Sequence, residues 1–273
     1  MAGAWLAASA HAAEAPSRVV SINLCADELL VALAAPEQIA ALSVYATDPR
    51  LSYVAAAAKA FRHDAGDAET VVDLDPDLVL AGRFTKRATR DMLAALGYRV
   101  VLLDPARSVD DSIAQVREVA ALVGHPERGE ALVAAIDAAR ASAVAAGRER
   151  GRRATAAVYQ RRGYVTGADT LTGDLLGAVG FVNVGGSLAG ERGGFVPLER
   201  LIDQPPDYLV VTSFADGAGD QGSALLAHPA LSALFPPQKR IVLPERLTVC
   251  GGPSLPEAFD WLASEARRLA AGS

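Results

Sequence analysis

The sequence contains few side chains placed to catalyse a reaction. A serine nucleophile is expected in a G-x-S-x-G turn, and neither this motif nor a Walker A sequence occurs. No G-x-G-x-x-G fingerprint follows the first predicted strand. The adjacent acids Asp110 and Asp111 lie at a predicted helix start, where the helix dipole favours acidic residues. We therefore expect a protein that is not an enzyme, with a secreted α/β enzyme as an alternative of a different class.

The histidines give little support for a free-metal site. After the first twelve residues the sequence has His63, His125 and His228, and the last two each precede a proline, a context typical of turns and helix starts. A zinc or manganese site needs three or four converging His, Asp or Glu ligands. A receptor for free zinc or manganese is therefore an alternative, with His63 as its one candidate histidine.

Apolar runs alternate with helical stretches, which predicts an α/β fold. Strands are expected at 18–22, 77–82 and 99–104, helices at 26–34, 85–97 and about 253–271, and the alternation resumes at 154–159, 171–180, 207–213 and 240–244. Strands that are apolar throughout and separated by helices indicate mostly parallel sheets covered on both faces.

A long helix is predicted between two halves of the chain. Residues 126–150 begin with a proline suited to a first helical turn, and about 20 helical residues span about 30 Å. We expect Rossmann-like lobes at 17–123 and 151–273, joined by a stiff linking helix within 124–150, so that lobe closure is small. The alternative is an ordinary crossover helix inside one sheet.

An internal repeat supports two lobes. The segments ETVVDLDPDLVLAGRF (69–84) and ERLIDQPPDYLVVTSF (199–214) match at a constant offset of 130 residues. The shared positions begin with Glu69 and Glu199 and include a Pro-Asp pair in front of an apolar strand. The helix dipole explains why an acidic residue stands at each helix start, but it does not explain why the two glutamates occupy matching positions in the repeat.

Composition excludes several classes of protein. The 273 residues are 51% hydrophobic with a net charge of −6, which argues against intrinsic disorder and against nucleic-acid binding. Residues 2–10 are small and apolar, and Ala10-His11-Ala12 forms an A-x-A pattern, so we interpret residues 1–12 as the remnant of a secretory signal peptide. The alternative is a disordered alanine-rich start. The first interpretation predicts a periplasmic protein.

The order and spacing of several segments resemble one family of transport receptors. These segments are RVVSINLCADELLVALA (18–34), ETVVDLDPDLVLA (69–81), LGYRVVLLD (96–104), the linking helix, YVTGADTLTGDLLGAVG (164–180) and VPLERLIDQPPDYLVVT (196–212). The chain resembles the helical-backbone (class III) periplasmic binding proteins of ABC importers, which include receptors for vitamin B12, ferric siderophores and haem. The resemblance implies that a ligand binds between the lobes and is delivered to a permease in the inner membrane.

The resemblance also assigns roles to particular residues. Glu69 and Glu199 match the two surface glutamates through which such receptors dock on arginines of the permease. The ligand is expected at the carboxyl ends of the strands. The loops there supply the candidate ligand-binding residues Tyr45, His63, Arg83 and Phe84 from the first lobe, and Arg161, Arg162, Tyr164, Phe195, Phe214 and Arg246 from the second.

The candidate residues indicate a bulky, anionic ligand. Arginine forks bind carboxylates and phosphates in pairs of hydrogen bonds. The two tryptophans, Trp5 and Trp261, lie outside the predicted cleft, and His63 stands where the B12 receptor has one of its tryptophans. Cobalamin is therefore one of four alternatives, with a ferric siderophore, haem and pyrroloquinoline quinone. No resident cofactor is expected, and we expect a monomer.

The two cysteines lie at opposite ends of the sequence. Cys25 and Cys250 both follow predicted strands and are expected near the cleft. We expect two reduced, buried cysteines that behave as small hydrophobic residues. The alternative is a disulfide across the cleft, which would lock the lobes of a protein that must exchange its ligand.

Overall fold

The chain folds into two α/β lobes on either side of a long helix. The computed structural model describes residues 15–149, 153–213, 226 and 228–271. The predicted signal segment 1–12 and Phe214 lie outside the described residues. The predicted α/β fold class is confirmed.

The first lobe is built on a parallel sheet. Its strands are β1 (Val19–Ser21), β2 (Ile39–Ser43), β3 (His63–Asp64), β4 (Leu78–Gly82) and β5 (Val100–Leu103). They lie in the order β3-β2-β1-β4-β5, all parallel. The helices of this lobe are α1 (Leu24–Leu33), α2 (Ala55–Ala58), α3 (Ala68–Val72), α4 (Arg87–Ala95) and α5 (Val109–Leu122).

The second lobe combines a parallel sheet with an antiparallel edge. Its strands are β6 (Ala154–Tyr159), β7 (Tyr164–Thr166), β8 (Phe181–Asn183), β9 (Gly193–Phe195), β10 (Tyr208–Ser213) and β11 (Arg240–Pro244). Strands β8, β6, β10 and β11 are parallel, whereas β7 runs antiparallel to β6 and β9. Only residues 160–163 separate β6 from β7, too few for the crossover that a parallel pair needs.

The remaining helices surround the second sheet and join it to the first. They are α6 (Pro126–Glu149), α7 (Leu171–Ala178), α8 (Gly185–Ala189), α9 (Leu198–Asp203), α10 (Pro229–Leu234) and α11 (Leu255–Ala271). The sequence repeat corresponds to α3 followed by β4 in one lobe and α9 followed by β10 in the other. Strand β4 pairs with β1 and β10 pairs with β6, so the two copies occupy equivalent places in their sheets.

Helix α6 is the predicted linking helix and is packed along its length. Its 24 residues span about 36 Å. A Cβ atom at Gly129 would lie 2.6 Å from Ala120 Cβ of α5, and one at Gly147 would lie 2.7 Å from the carbonyl carbon of Val179, which follows α7. These two glycines, which disfavour a helix, allow α6 to approach both lobes closely.

One hydrophobic core passes through both lobes. It runs from Val19 of β1 through Leu30 of α1 and Ile136 of α6 to Phe259 of α11 and Ile241 of β11. Because the two sheets share these helices, α6 joins the sheets and is not a crossover within one of them. Among the described residues no helix has the length and apolar composition needed to cross a membrane.

Candidate ligand-binding cleft

The carboxyl ends of the strands in the two sheets face each other. The guanidinium carbon of Arg246, after β11, lies 5.9 Å from the centre of the Tyr53 ring, which follows β2. Arg107, after β5, also approaches the second lobe, at Asp169 in the loop between β7 and α7, with Nη1 and Oδ2 3.4 Å apart. Open parallel sheets bind ligands beyond these ends. The space between the lobes is therefore the candidate site.

Large aromatic side chains are exposed on both sides of this space. Phe84, Phe195 and Tyr45 are 84%, 73% and 60% exposed. The rings of Tyr164 and Phe195 meet edge to face, with centroids 5.5 Å apart. Exposed apolar surface of this kind, positioned by strand ends, is typical of a ligand-binding surface.

Short-range hydrogen bonds hold the backbone beneath these rings. Tyr45 lies in the short 3-10 helix after β2, where its N–H donates to Ser43 Oγ at 3.3 Å. Phe84 lies in the turn after β4, in which the N–H of Gly82 donates to Thr85 Oγ1 at 3.0 Å. The Tyr164 hydroxyl donates to the Arg192 carbonyl oxygen at 3.2 Å. These contacts present the rings on a fixed backbone.

Two of the four candidate arginines are already paired with acids of their own lobe. Arg83 forms an ion pair with Asp104, which lowers the pKa of that carboxyl group through a side-chain hydrogen bond. Arg246 forms a 2.7 Å ion pair with Glu257. The positive charge available to an anionic ligand is therefore smaller than the number of arginines indicates.

Arg161 and Arg162 lie in the 3-10 turn between β6 and β7. Arg162 is exposed, makes no ion pair with the described residues and has a φ of 59°, in the left-handed region. Arg161 is close enough to Glu245 to oppose the rise in the pKa of that acid that burial causes. Strained backbone at an exposed arginine is common where a side chain is held for function.

A cavity of about 510 Å³ opens between the lobes beside α2. It is lined by Pro49, Ser52, Tyr53, Val54, Ala55, Ala56, Ala57, Arg246 and Glu257. The Ser52 hydroxyl is buried without a hydrogen-bond partner among the described residues. Of these lining residues, only Arg246 was predicted from the sequence as a candidate ligand-binding residue. Residues 49–57 belong to no predicted element, and long-range packing alone brings them against the second lobe.

Two acids are buried on α1, which begins at the cleft. Asn23 caps this helix, since its Oδ1 accepts the N–H groups of Cys25 and Ala26. Burial raises the pKa of Asp27 to about 7, although hydrogen bonds from serines oppose this. Burial also raises the pKa of Glu28 to about 8, and Glu28 Oε1 accepts the N–H of Tyr53 at 2.8 Å. Both acids thus gain protons readily near neutral pH.

The histidines occupy three different environments. His63 is half-buried in β3, and its Nε2 has no hydrogen-bond partner among the described residues. His228 caps α10, as its context predicted, because its Nδ1 accepts the N–H of Ala230 at 3.2 Å. His125 Nε2 lies 3.1 Å from Gln38 Oε1. Within the described part of the chain no three His, Cys, Asp or Glu side chains form a metal-binding group.

The predicted free cysteines are joined in a disulfide, so that prediction is wrong. Cys25 lies in the first turn of α1, and Cys250 is buried in the segment after β11. Their Cα atoms are 5.2 Å apart although 225 residues separate them in sequence. The segment containing Cys250 leaves the second sheet and packs on helices of the first lobe. The sequence did not reveal this crossing.

The candidate docking glutamates are exposed on equivalent helices. Glu69 is in the first turn of α3, and Glu199 is in the first turn of α9. Neither side chain forms an ion pair with the described residues. Both are therefore accessible to a partner protein.

Comparison with known proteins agrees with this geometry. The family model described as periplasmic binding protein matches residues 19–236. A cobalamin-binding protein of Halobacterium salinarum is 26% identical over 215 residues, covering 78% of this chain, and the match spans 58% of that relative's length.

Solved structures show the same fold. The apo periplasmic haem-binding protein RhuT from Roseiflexus sp. RS-1 superposes with a TM-score of 0.73 at 23% identity, covering 93% of this chain and 99% of that one. The periplasmic vitamin B12 binding protein BtuF of Vibrio cholerae gives a TM-score of 0.71 at 14% identity, with 94% and 99% coverage. With a family match over most of its length, the chain belongs to the periplasmic binding protein family.

Proposed function

We propose that this protein captures a bulky cofactor or metal chelate between its lobes in the periplasm and delivers it to the permease of an ABC importer. The observation that carries the proposal is the set of exposed aromatic side chains on the facing ends of the two sheets. An aromatic ring can contact the flat face of a macrocycle on either side. No bond of the ligand needs to be made or broken.

The nature of the ligand follows from the charges around it. Because Arg83 and Arg246 are paired with acids, the cleft offers fewer free cations than a highly charged anion requires. Large aromatic and alanine surfaces remain, together with the exposed Arg162. Cobalamin and haem combine a broad apolar face with few charged groups, and the named relatives bind these two compounds. Ferric siderophores and pyrroloquinoline quinone stay in the proposed set.

The ligand proposal is tested by titration calorimetry with cyanocobalamin, haemin, a ferric hydroxamate, pyrroloquinoline quinone, zinc and manganese. We expect one of the first four to bind. Phe195→Ala and Tyr164→Ala should each weaken it about 5- to 30-fold, since a buried aromatic contact contributes about 1–2 kcal/mol. Leu96→Ala is the matched control, because Leu96 is 55% exposed but precedes β5, at the opposite end of the strands. Binding of free metal alone would contradict the proposal.

The delivery proposal concerns Glu69 and Glu199. Exposed ion pairs add little affinity but orient docking. We expect the double variant Glu69→Ala/Glu199→Ala to abolish uptake in vesicles containing the permease while its ligand affinity stays unchanged. Glu118→Ala on α5 is the control, since Glu118 is exposed and unpaired among the described residues. A loss of ligand affinity in the double variant would instead assign these glutamates to the cleft.

A further inference from the structure

The Cys25–Cys250 disulfide is a second covalent connection between the lobes. Helix α6 is the first, and it packs against α5 and α11. After β11 the chain crosses to the first lobe, where the N–H of Gly252 donates to Ser112 Oγ of α5 at 2.6 Å. A Cβ atom at Gly252 would lie 2.8 Å from Leu29 of α1, so the crossing segment is in tight contact there. The disulfide closes this contact covalently at the floor of the cleft.

Noncovalent contacts between the lobes lie on both sides of the disulfide. Cys25 follows β1, the central strand of the first sheet, in the order β3-β2-β1-β4-β5. On the β2 side, Tyr53 is held beneath Arg246. On the β5 side, the N–H of Val109 donates to Asp174 Oδ2 at 2.8 Å. Rotation in either direction about the disulfide would therefore break one of these contacts.

We infer that the disulfide fixes the spacing of the lobes, so that ligand enters and leaves without a wide separation of the two. The stiff linking helix alone attaches the lobes at one place, so that small rotations about its ends remain. With α6 and the disulfide both attached, the main rigid-body motion left to the lobes is rotation about the axis that joins these two connections. The Tyr53–Arg246 and Val109–Asp174 contacts on either side oppose that rotation. The exposed Glu69 and Glu199 consequently keep a constant separation in the presence and absence of ligand.

The inference is tested by measuring the distance between the lobes. Nitroxides carried by an unnatural ketone amino acid at positions 69 and 199 avoid new cysteines and report the separation by double electron–electron resonance. We expect one narrow distribution in the otherwise unaltered protein. The Cys25→Ser/Cys250→Ser variant should give a broader distribution that extends to longer distances. Equal widths in the two proteins would overturn the inference.

Two controls keep the test independent of folding and of the ligand. Arg107→Ala removes an exposed interlobe ion pair and keeps the disulfide, so its distribution should stay narrow. Should the double serine variant fail to fold, the labelled protein is reduced with a phosphine instead. The phosphine gives two electrons to the disulfide and takes the oxygen of its oxide from a water molecule, whose two protons complete the two thiols. Peptide mapping without reductant should show Cys25 linked to Cys250, and two free thiols would contradict the inference. None of these measurements requires a ligand.

Discussion

Asp77 and Asp207 hold equivalent strand junctions in the two lobes. The Asp77 carboxylate accepts the N–H of Arg18 at 3.1 Å, immediately before β1. The Asp207 carboxylate accepts the N–H and the hydroxyl of Thr155 at 2.8 and 3.0 Å, at the start of β6. In each sheet the bond ties the residue before β4 or β10 to the neighbouring parallel strand. The repeated Pro-Asp pair thus has a structural role, while the repeated glutamate is exposed.

Replacing either aspartate should weaken its own lobe by a similar amount. Asp77→Ala and Asp207→Ala each remove a charged acceptor from backbone N–H groups, which should lower the free energy of unfolding by about 1–3 kcal/mol. Urea denaturation followed by circular dichroism measures this. Asp91→Ala is the control, since its exposed ion pair with Arg87 should contribute less than about 1 kcal/mol. A large loss for one aspartate and none for the other would refute the equivalence.

The sequence predicted the elements that local patterning controls. The linking helix, expected within 124–150, spans Pro126–Glu149, and the apolar runs at 77–82 and 154–159 became β4 and β6. Asp110 and Asp111 lie in the first turn of α5, the helix start at which they were predicted, and Asp111 also forms a capping box with Ser108. Periodicity, proline position and helix caps act over a few residues, so a single sequence displays them.

Contacts set by the tertiary fold could not be predicted in this way. The disulfide joins positions separated by 225 residues. Their predicted places after strands put both cysteines near the cleft, with a disulfide as the alternative, but did not show that they meet. The pairing of Arg246 with Glu257 depends on how the segment after β11 turns into α11. Tyr53 reaches the cleft through a loop without any motif. Tyr45 and Phe84 follow β2 and β4, and Tyr164 and Phe195 lie at the ends of β7 and β9, so local patterning places these aromatic residues near strand ends. Their ionic environment depends on the tertiary fold.

Stability should fall as pH rises through the titration of Glu28. Its pKa is about 8 in the folded protein and about 4.5 as an ordinary carboxyl group, so the folded state binds the proton more tightly between these values. In Glu28→Gln the side chain is an amide that does not titrate, so the variant does not lose stability through this group as pH rises. The variant should be more stable than the wild type at pH 8.5 by at least about 1.4 kcal/mol, the equivalent of one pKa unit.

The comparison at acidic pH separates this effect from a packing change. At pH 5.5 the wild-type acid is protonated when folded, and the advantage of the glutamine variant should be smaller than at pH 8.5. Urea denaturation at both pH values gives the two differences. Asp27, with a pKa of about 7, titrates in both proteins, and its charge adds to the burial that raises the pKa of Glu28. A difference that does not change with pH would show that Glu28 does not titrate in this range.

Two glycine substitutions should change stability in opposite directions. Gly147→Ala would place a Cβ atom 2.7 Å from backbone of Val179, and separating α6 from α7 should cost about 1–3 kcal/mol despite the better helix propensity of alanine. Gly177→Ala in α7 meets nothing within 4 Å and should stabilise by about 0.5–1 kcal/mol. Thermal unfolding of both variants checks the pair. Stabilisation by Gly147→Ala would mean that the helices are not in close contact.

Arg162 should reveal a conflict between stability and binding. Its φ of 59° is costly for a side chain with a Cβ atom and free for glycine. Arg162→Gly should therefore raise the free energy of unfolding by about 0.5–1 kcal/mol. The same change removes an exposed guanidinium from the cleft side of the second lobe, which should weaken the ligand that calorimetry identifies. Arg83→Ala provides the comparison, because Arg83 is already paired with Asp104 and its loss should change affinity less.

The two measurements on Arg162 discriminate between a binding residue and a turn residue. Higher stability with weaker binding is expected, since strain is retained where a side chain has a function. Arg162→Asn is the matched variant, because asparagine tolerates the left-handed region but carries no charge. It should lose affinity like the glycine variant while keeping the turn. Unchanged affinity in both variants would remove Arg162 from the candidate site and leave only the backbone of the β6–β7 turn.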